Sequence, residues 1–189
     1  ADVLWLMSAR GGLVVEENMD LFPKLGAVVK CGSGTDNIDH DACTRRGIIV
    51  AHTPDDVTEP TSDHFIAMLF AAARQIPRQD RLMRRGIWDA SAAPPLGHFT
   101  GAELGLIGFG RIGRAIVRKL AGFRMRVRVY DPYVEAAEIE AAGCEKTPLR
   151  ELLAESQFVL VACPKTTETE GLLGEDELRS MRCDAILVN

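Results

Sequence analysis

The chain has 189 residues and a net charge of −5, with 47% hydrophobic and 26% charged residues, an ordinary globular composition. Neither half gathers Lys and Arg into a basic stretch, so nucleic acid is not an expected partner. The longest apolar run, residues 65–73, falls far short of the ~20 residues of a membrane-spanning helix, so no membrane partner is expected either.

Residues 3–7 read as a strand, 15–22 as a helix, 27–30 as a strand, 39–46 as a helix closed by Gly47, and 48–51 as a strand. A long helix follows at about 61–75, broken before Pro77, and a second runs to Arg85 and ends at Gly86. Phe65, Ile66, Met68, Leu69 and Phe70 nearly encircle the long helix, which predicts burial on several sides, at a domain or subunit contact or in its own core. Small residues and prolines at 91–95 read as a connector.

Beyond it come a strand at 104–107, a helix at 111–120 ending at Gly122, a strand at 127–130 and a helix at 134–142 ending at Gly143. A helix at 149–155 behind Thr147-Pro148, a strand at 158–162, a helix at 175–181 and a strand at 185–188 complete the series. The alternation predicts an α/β fold of doubly wound parallel sheets. Because the chain opens and closes inside strands, it reads as a piece of a longer protein. Five scattered cysteines (Cys31, Cys43, Cys144, Cys163, Cys183) form no C-x-x-C pair, which argues for free thiols in a reducing cytoplasm and against a metal site.

The clearest chemistry lies where the strand 104–107 runs into Gly108-Phe109-Gly110-Arg111-Ile112-Gly113 and then a helix with Ile112, Ile116 and Leu120 on one face. Gly108 permits a tight turn, Gly110 lets backbone approach a pyrophosphate, and Gly113 lets helix and strand pack closely. The free N–H groups at the helix start face the anion. The next strand delivers Asp131, at roughly the 20-residue spacing of the acid that accepts hydrogen bonds from an adenosine ribose. A 2′-phosphate would meet like charge there, so NAD is preferred over NADP. Arg126 and Arg128, alternating with Val127 and Val129, read as solvated charge on one side of that strand.

A second glycine-rich turn, Gly32-Ser33-Gly34-Thr35, follows the strand 27–30 and precedes a helix expected to be capped by Asp36 or Asn37. Its backbone N–H groups suit a small anion such as a carboxylate. Read alone, it is a tight strand-to-helix connection.

Five segments together resemble the D-isomer-specific 2-hydroxyacid dehydrogenases. They are residues 32–39, residues 61–77, Gly86-Ile87-Trp88, the glycine fingerprint through Tyr130-Asp131-Pro132, and Cys163-Pro164 through Leu172. The resemblance implies a Rossmann NAD-binding domain at 52–189, incomplete at its end. It also implies part of a flavodoxin-like substrate domain at 1–51, an active site in the cleft between the lobes, and a helical arm at 61–88 for a homodimer. It assigns the substrate carboxylate to Ser33 and Gly34. The pyrophosphate falls to Arg111 and Ile112 with the rest of the fingerprint, and the nicotinamide side to Cys163 and Pro164.

The family's catalytic Arg, Glu and His would align beyond Asn189, so no catalytic residue is assigned within this chain. Of the four histidines, His52 stands out, because it occupies a lobe-junction position where the family often has Asn. Phosphoglycerate-type relatives carry an Arg where Met7 stands and basic residues where Asp89-Ala90-Ser91-Ala92 stand, so a small non-phosphorylated 2-hydroxy or 2-keto acid is expected. Residues 61–63 and 162–163 resemble the glyoxylate/hydroxypyruvate reductase branch. The alternatives are an NAD-sensing, corepressor-like protein of the same fold and a relative that keeps the fold without function.

Overall fold

The structure, a computed structural model, describes residues 2–7, 14–89 and 98–189. The connector expected at 91–95 lies outside them. The chain divides into two compact units, Ala1–Pro60 and Thr61–Asn189.

The first unit holds a parallel sheet of order β1 (Asp2–Leu6), β2 (Leu25–Cys31) and β3 (Ile49–Thr53). One face is covered by the 3-10 turn Glu16–Leu21 and helix α1 (His40–Arg45) over a core that includes Leu6, Val14, Met19, Val28 and Ile38. The expected helix at 15–22 is this 3-10 turn. Asn18 Oδ1 accepts the Val15 N–H, and Pro23 ends the segment before a full α-helix can recover its nucleation cost. Neither Asp36 nor Asn37 caps α1. The cap is Asp39, whose Oδ1 accepts the Ala42 N–H at 2.8 Å. The opposite face leaves Val3, Trp5, Met7 and Ile49 exposed, although parallel sheets are ordinarily covered on both faces.

The second unit begins in helix α2 (Thr58–Ala73), which continues after a left-handed Gln75 into α3 (Ile76–Arg84). Within this chain α2 buries Ser62, Leu69 and Ala73, packs Phe65, Ile66 and Phe70 against the core, and leaves Met68 38% exposed. Helix α3 has no buried residue.

Next come β4 (Glu103–Ile107), α4 (Arg111–Leu120), β5 (Arg126–Tyr130), α5 (Ala136–Ala141) and β6 (Glu145–Lys146). They are followed by α6 (Leu149–Glu155), β7 (Phe158–Val161), α7 (Glu175–Ser180) and β8 (Ile186–Val188). The sheet is parallel throughout, with order β6-β5-β4-β7-β8. Counted from β4, that is 3-2-1-4-5, the strand order of dinucleotide-binding sheets. Its core gathers Leu104, Leu106, Ile116, Val129 and Leu160 with Leu69 of α2. Strand β6 carries no alternating apolar pattern and was not legible in the sequence.

The two β5 arginines diverge. Arg126 is exposed and pairs with Glu103. Arg128 is not solvated charge. Its side chain is only 16% exposed, with its guanidinium 2.7 Å from Glu155, 3.3 Å from Glu103, 3.5 Å from Glu145 and 3.6 Å from Glu151. The sequence pattern missed this because the carboxylates come from β4, β6 and α6. Burial works against the Arg128 charge, but the carboxylates outweigh it and hold its pKa above the ordinary value. Arg128→Ala is therefore expected to destabilise the unit by about 1–2 kcal/mol, leaving four carboxylates to repel one another. Arg126→Ala is expected to cause no resolvable change. Urea denaturation of both variants checks this, and equal effects would contradict it.

Candidate dinucleotide site and substrate turn

In an open parallel sheet, ligands bind beyond the strand ends where the strand order reverses, here between β4 and β7. Gly108 leaves β4 and Cys163 leaves β7 at that point. Gly108 has φ +96°, and a Cβ on it would lie 2.7 Å from the Cys163 nitrogen, so the two strand exits touch backbone to backbone. A Cβ on Gly113 would sit 2.3 Å from the Gly108 carbonyl oxygen, which fixes how closely α4 can approach β4. At Gly110, the N-cap of α4, a Cβ would meet nothing within 4 Å. The backbone there lies open, and Gly110 as the N-cap brings no side chain to the first turn of α4.

Asp131 ties this loop to the end of β5. Its Oδ2 accepts the Phe109 N–H at 2.8 Å, and its Oδ1 accepts those of Tyr133 at 2.9 Å and Val134 at 3.2 Å. A carboxylate offers about four lone-pair sites, so about one stays open for a ribose hydroxyl. The Phe109 ring is fully buried, with the Arg114 guanidinium 4.5 Å from its centroid. What Phe109 can present to a ligand is therefore main chain, and its N–H already serves Asp131.

A cavity of about 620 Å³ opens beside these groups, lined among others by Gly108, Asp131, Tyr133, Cys163, Pro164 and Glu168. Arg111 is exposed at the start of α4, and Ile112 is half-buried against the core. Two residues that sequence reasoning missed flank the cavity. The Tyr133 hydroxyl donates to Glu168, and that bond raises the phenol pKa above its usual value. The pairing joins segments far apart in sequence and had no local signal. Thr169 Oγ1 steadies the loop by donating to the Pro164 carbonyl at 2.6 Å and accepting the Thr166 N–H at 2.8 Å.

The second turn lies in the first unit. Gly32 has φ +107° and gives its N–H to Thr53 Oγ1 at 3.2 Å. His52 Nδ1 lies 3.0 Å from the Ser33 carbonyl oxygen, and His40 Nε2 lies 2.9 Å from Thr35 Oγ1. Ser33 and Gly34 are exposed. The Asn37 amide, three residues after Gly34, is buried, with neither its oxygen nor its nitrogen hydrogen-bonded among the described residues.

Among the described residues no helix is long and apolar enough to cross a membrane, and no three His, Cys, Asp or Glu side chains gather where a metal could bind.

A dinucleotide-type sheet with an open glycine loop at its reversal point defines a nucleotide-binding protein of the Rossmann type. Residues 66–189 match the family model described as D-isomer specific 2-hydroxyacid dehydrogenase, NAD binding domain, and the chain belongs to that family.

All of the chain aligns with a glyoxylate reductase of Pyrococcus furiosus at 40% identity, covering 58% of that protein. It also aligns in full with a D-3-phosphoglycerate dehydrogenase of Mycobacterium bovis at 38% identity, covering 35% of that protein. Among solved structures, a D-lactate dehydrogenase from Aquifex aeolicus, complexed with NAD and lactic acid, superposes with a TM-score of 0.88 at 28% identity. That match covers 100% of this chain and 56% of the other. The chain thus spans between about a third and three fifths of the relatives it matches.

Two outcomes follow. Gly110→Val is expected to keep the fold, since its Cβ meets open space, and to abolish NADH binding by filling the backbone's approach to the pyrophosphate. Isothermal titration checks this, and retained affinity would contradict it. Burial raises the Cys163 thiol pKa, with the Asp131 charge adding to it, so less thiolate is present at a given pH. Alkylation of Cys163 at pH 8 should be slower than that of exposed Cys183, and NADH should slow only Cys163. Peptide mass spectrometry reads both rates, and equal rates without protection would contradict the assignment.

Proposed function

We propose that the protein containing this chain is an NAD-dependent oxidoreductase that moves a hydride between the nicotinamide and C2 of a small, non-phosphorylated 2-hydroxy or 2-keto acid. The observation that carries this reading is the open backbone at Gly110, set between Gly108 and Gly113 at the sheet's reversal point. NAD supplies the hydride acceptor, and NADH the hydride, when bound. The chain's own residues bind and orient.

The α4 N-terminus holds the pyrophosphate through the main-chain N–H groups of Gly110, Arg111 and Ile112, while Gly108, Phe109 and Gly113 shape the loop; the Gly108 N–H serves the Tyr130 carbonyl and the Phe109 N–H serves Asp131. The remaining acceptor site of Asp131 takes a ribose hydroxyl and disfavours a 2′-phosphate. Cys163 and Pro164 line the nicotinamide side. In the other unit the Gly32–Thr35 turn, through Ser33 and Gly34, holds the substrate carboxylate. Exposed Met7 and Asp89 offer no cation for a phosphorylated acid.

We assign the unit Ala1–Pro60 to the substrate lobe and Thr61–Asn189 to the cofactor lobe, because the boundary expected at 51/52 would cut strand β3, and we place them in a cytoplasmic homodimer joined through α2 and α3. That α3 buries nothing supports the dimer assignment. The relatives reported above are named reductases and dehydrogenases, so the sensing alternative gains no support from them.

The full-length protein should oxidise NADH in the presence of glyoxylate or hydroxypyruvate, and NADH binding without turnover of any 2-keto acid would overturn the reading. Asp131→Ala should weaken NADH binding and narrow its preference over NADPH. It should also cost about 1–3 kcal/mol of stability, because the Phe109, Tyr133 and Val134 N–H groups lose their acceptor. An unchanged NADH to NADPH ratio of dissociation constants would contradict the assigned role.

A further inference from the structure

His52 lies on β3, which pairs with β2 in a register that sets Lys30 beside His52 and Cys31 beside Thr53. From there β3 grips the turn that follows β2 twice. Thr53 Oγ1 accepts the Gly32 N–H at 3.2 Å, and His52 Nδ1 meets the Ser33 carbonyl oxygen at 3.0 Å. A carbonyl only accepts, so Nδ1 carries the proton and donates. The Ser33 C=O and the Gly34 N–H belong to one planar trans peptide and point in opposite directions. Whatever fixes the oxygen therefore fixes the direction of the N–H.

Among the described residues no other hydrogen bond holds this peptide. Ser33 and Gly34 are exposed, and Gly34 has no side chain to resist rotation of the unit. A donor on the oxygen also polarises the amide and strengthens the N–H opposite as a donor, by about 10–30%.

We propose that His52 is a positioning residue for the substrate: by holding the Ser33 carbonyl it aims and sharpens the Gly34 N–H that receives the carboxylate of the 2-keto acid. This rests on the reading that the turn holds that carboxylate. His52 acts through the peptide and not on the reacting atoms.

The chemistry supplies its own control. Asn Nδ2 stands the same number of bonds from Cβ as His Nδ1, so His52→Asn keeps a donor in place. His52→Phe keeps the ring and loses the donor, and His52→Ala loses both. In the full-length protein, Ala and Phe should raise KM for glyoxylate about tenfold, with kcat reduced less and the NADH dissociation constant within twofold of the parent. Asn should return KM to within about threefold. Ala and Phe variants with KM within twofold of the parent, or an Asn variant no better than Ala, would overturn the proposal. Since His52 is exposed, unchanged NADH affinity and thermal midpoint serve as the check on folding.

A companion variant with an ester in place of the Ser33–Gly34 amide deletes the N–H and also weakens the Ser33 carbonyl as an acceptor. If the ester leaves KM unchanged, the turn does not hold the carboxylate, and both readings fall. If the ester raises KM while His52→Ala and His52→Phe do not, the role of His52 falls by itself.

Discussion

The nucleotide unit is organised around one carboxylate. Asp131 stands at the end of β5 and accepts a main-chain N–H from the glycine loop after β4 and two from the turn after β5. Those loops leave adjacent strands, and without a shared acceptor each would carry main-chain donors with no partner in a half-buried crevice. The position of Phe109, and through it the open backbone of Gly110, follows from this anchor. On the other side Gly108 is pinned by the backbone of Cys163, whose close approach tolerates no side chain there. The cofactor cradle is thus set by a carboxylate on one flank and a backbone contact on the other.

The two units use the same device. In each, a parallel strand exits into a glycine with positive φ, Gly32 after β2 and Gly108 after β4, before the chain turns into a helix, whose start is open at Gly110 in the nucleotide unit and capped by Asp39 in the other. In each, the adjacent strand steadies the turn: His52 and Thr53 of β3 in one, Asp131 beyond β5 in the other. Side chains do the holding, and in the proposed reading the backbone does the binding. This arrangement reads charge and shape with donors that do not titrate.

How much was legible in the sequence follows from the range of each signal. The glycine fingerprint, its strand and its amphipathic helix are local, and the three glycines occupy the three backbone situations their spacing implies. The alternation of strands and helices likewise yields the parallel sheets. What failed depended on partners far away or on competition within a short segment. Arg128 looked like surface charge because its four carboxylates arrive from three other elements. Asp36 and Asn37 looked like helix caps, but the bridge between Val14 and Ile38 holds the chain extended until Asp39. The apolar ring of α2 divides within this chain into an enclosed Leu69 and an exposed Met68, a split that periodicity alone does not show. The Tyr133 and Glu168 pair could not be read at all, because only the fold brings those segments together. Asp131 was read as a ribose acceptor, and its structural duty to three N–H groups became visible only in three dimensions.

The central claim is that this chain binds NADH through main-chain groups of the glycine loop and the Asp131 anchor. The most direct test is to follow the amide resonances of the isotopically labelled chain while NADH is added. Large, saturable shifts are expected at Gly110, Arg111, Ile112 and Gly113, at Phe109, Tyr133 and Val134 through their shared acceptor, and along residues 163–169. Shifts absent there, or confined to other parts of the sheet, would contradict it.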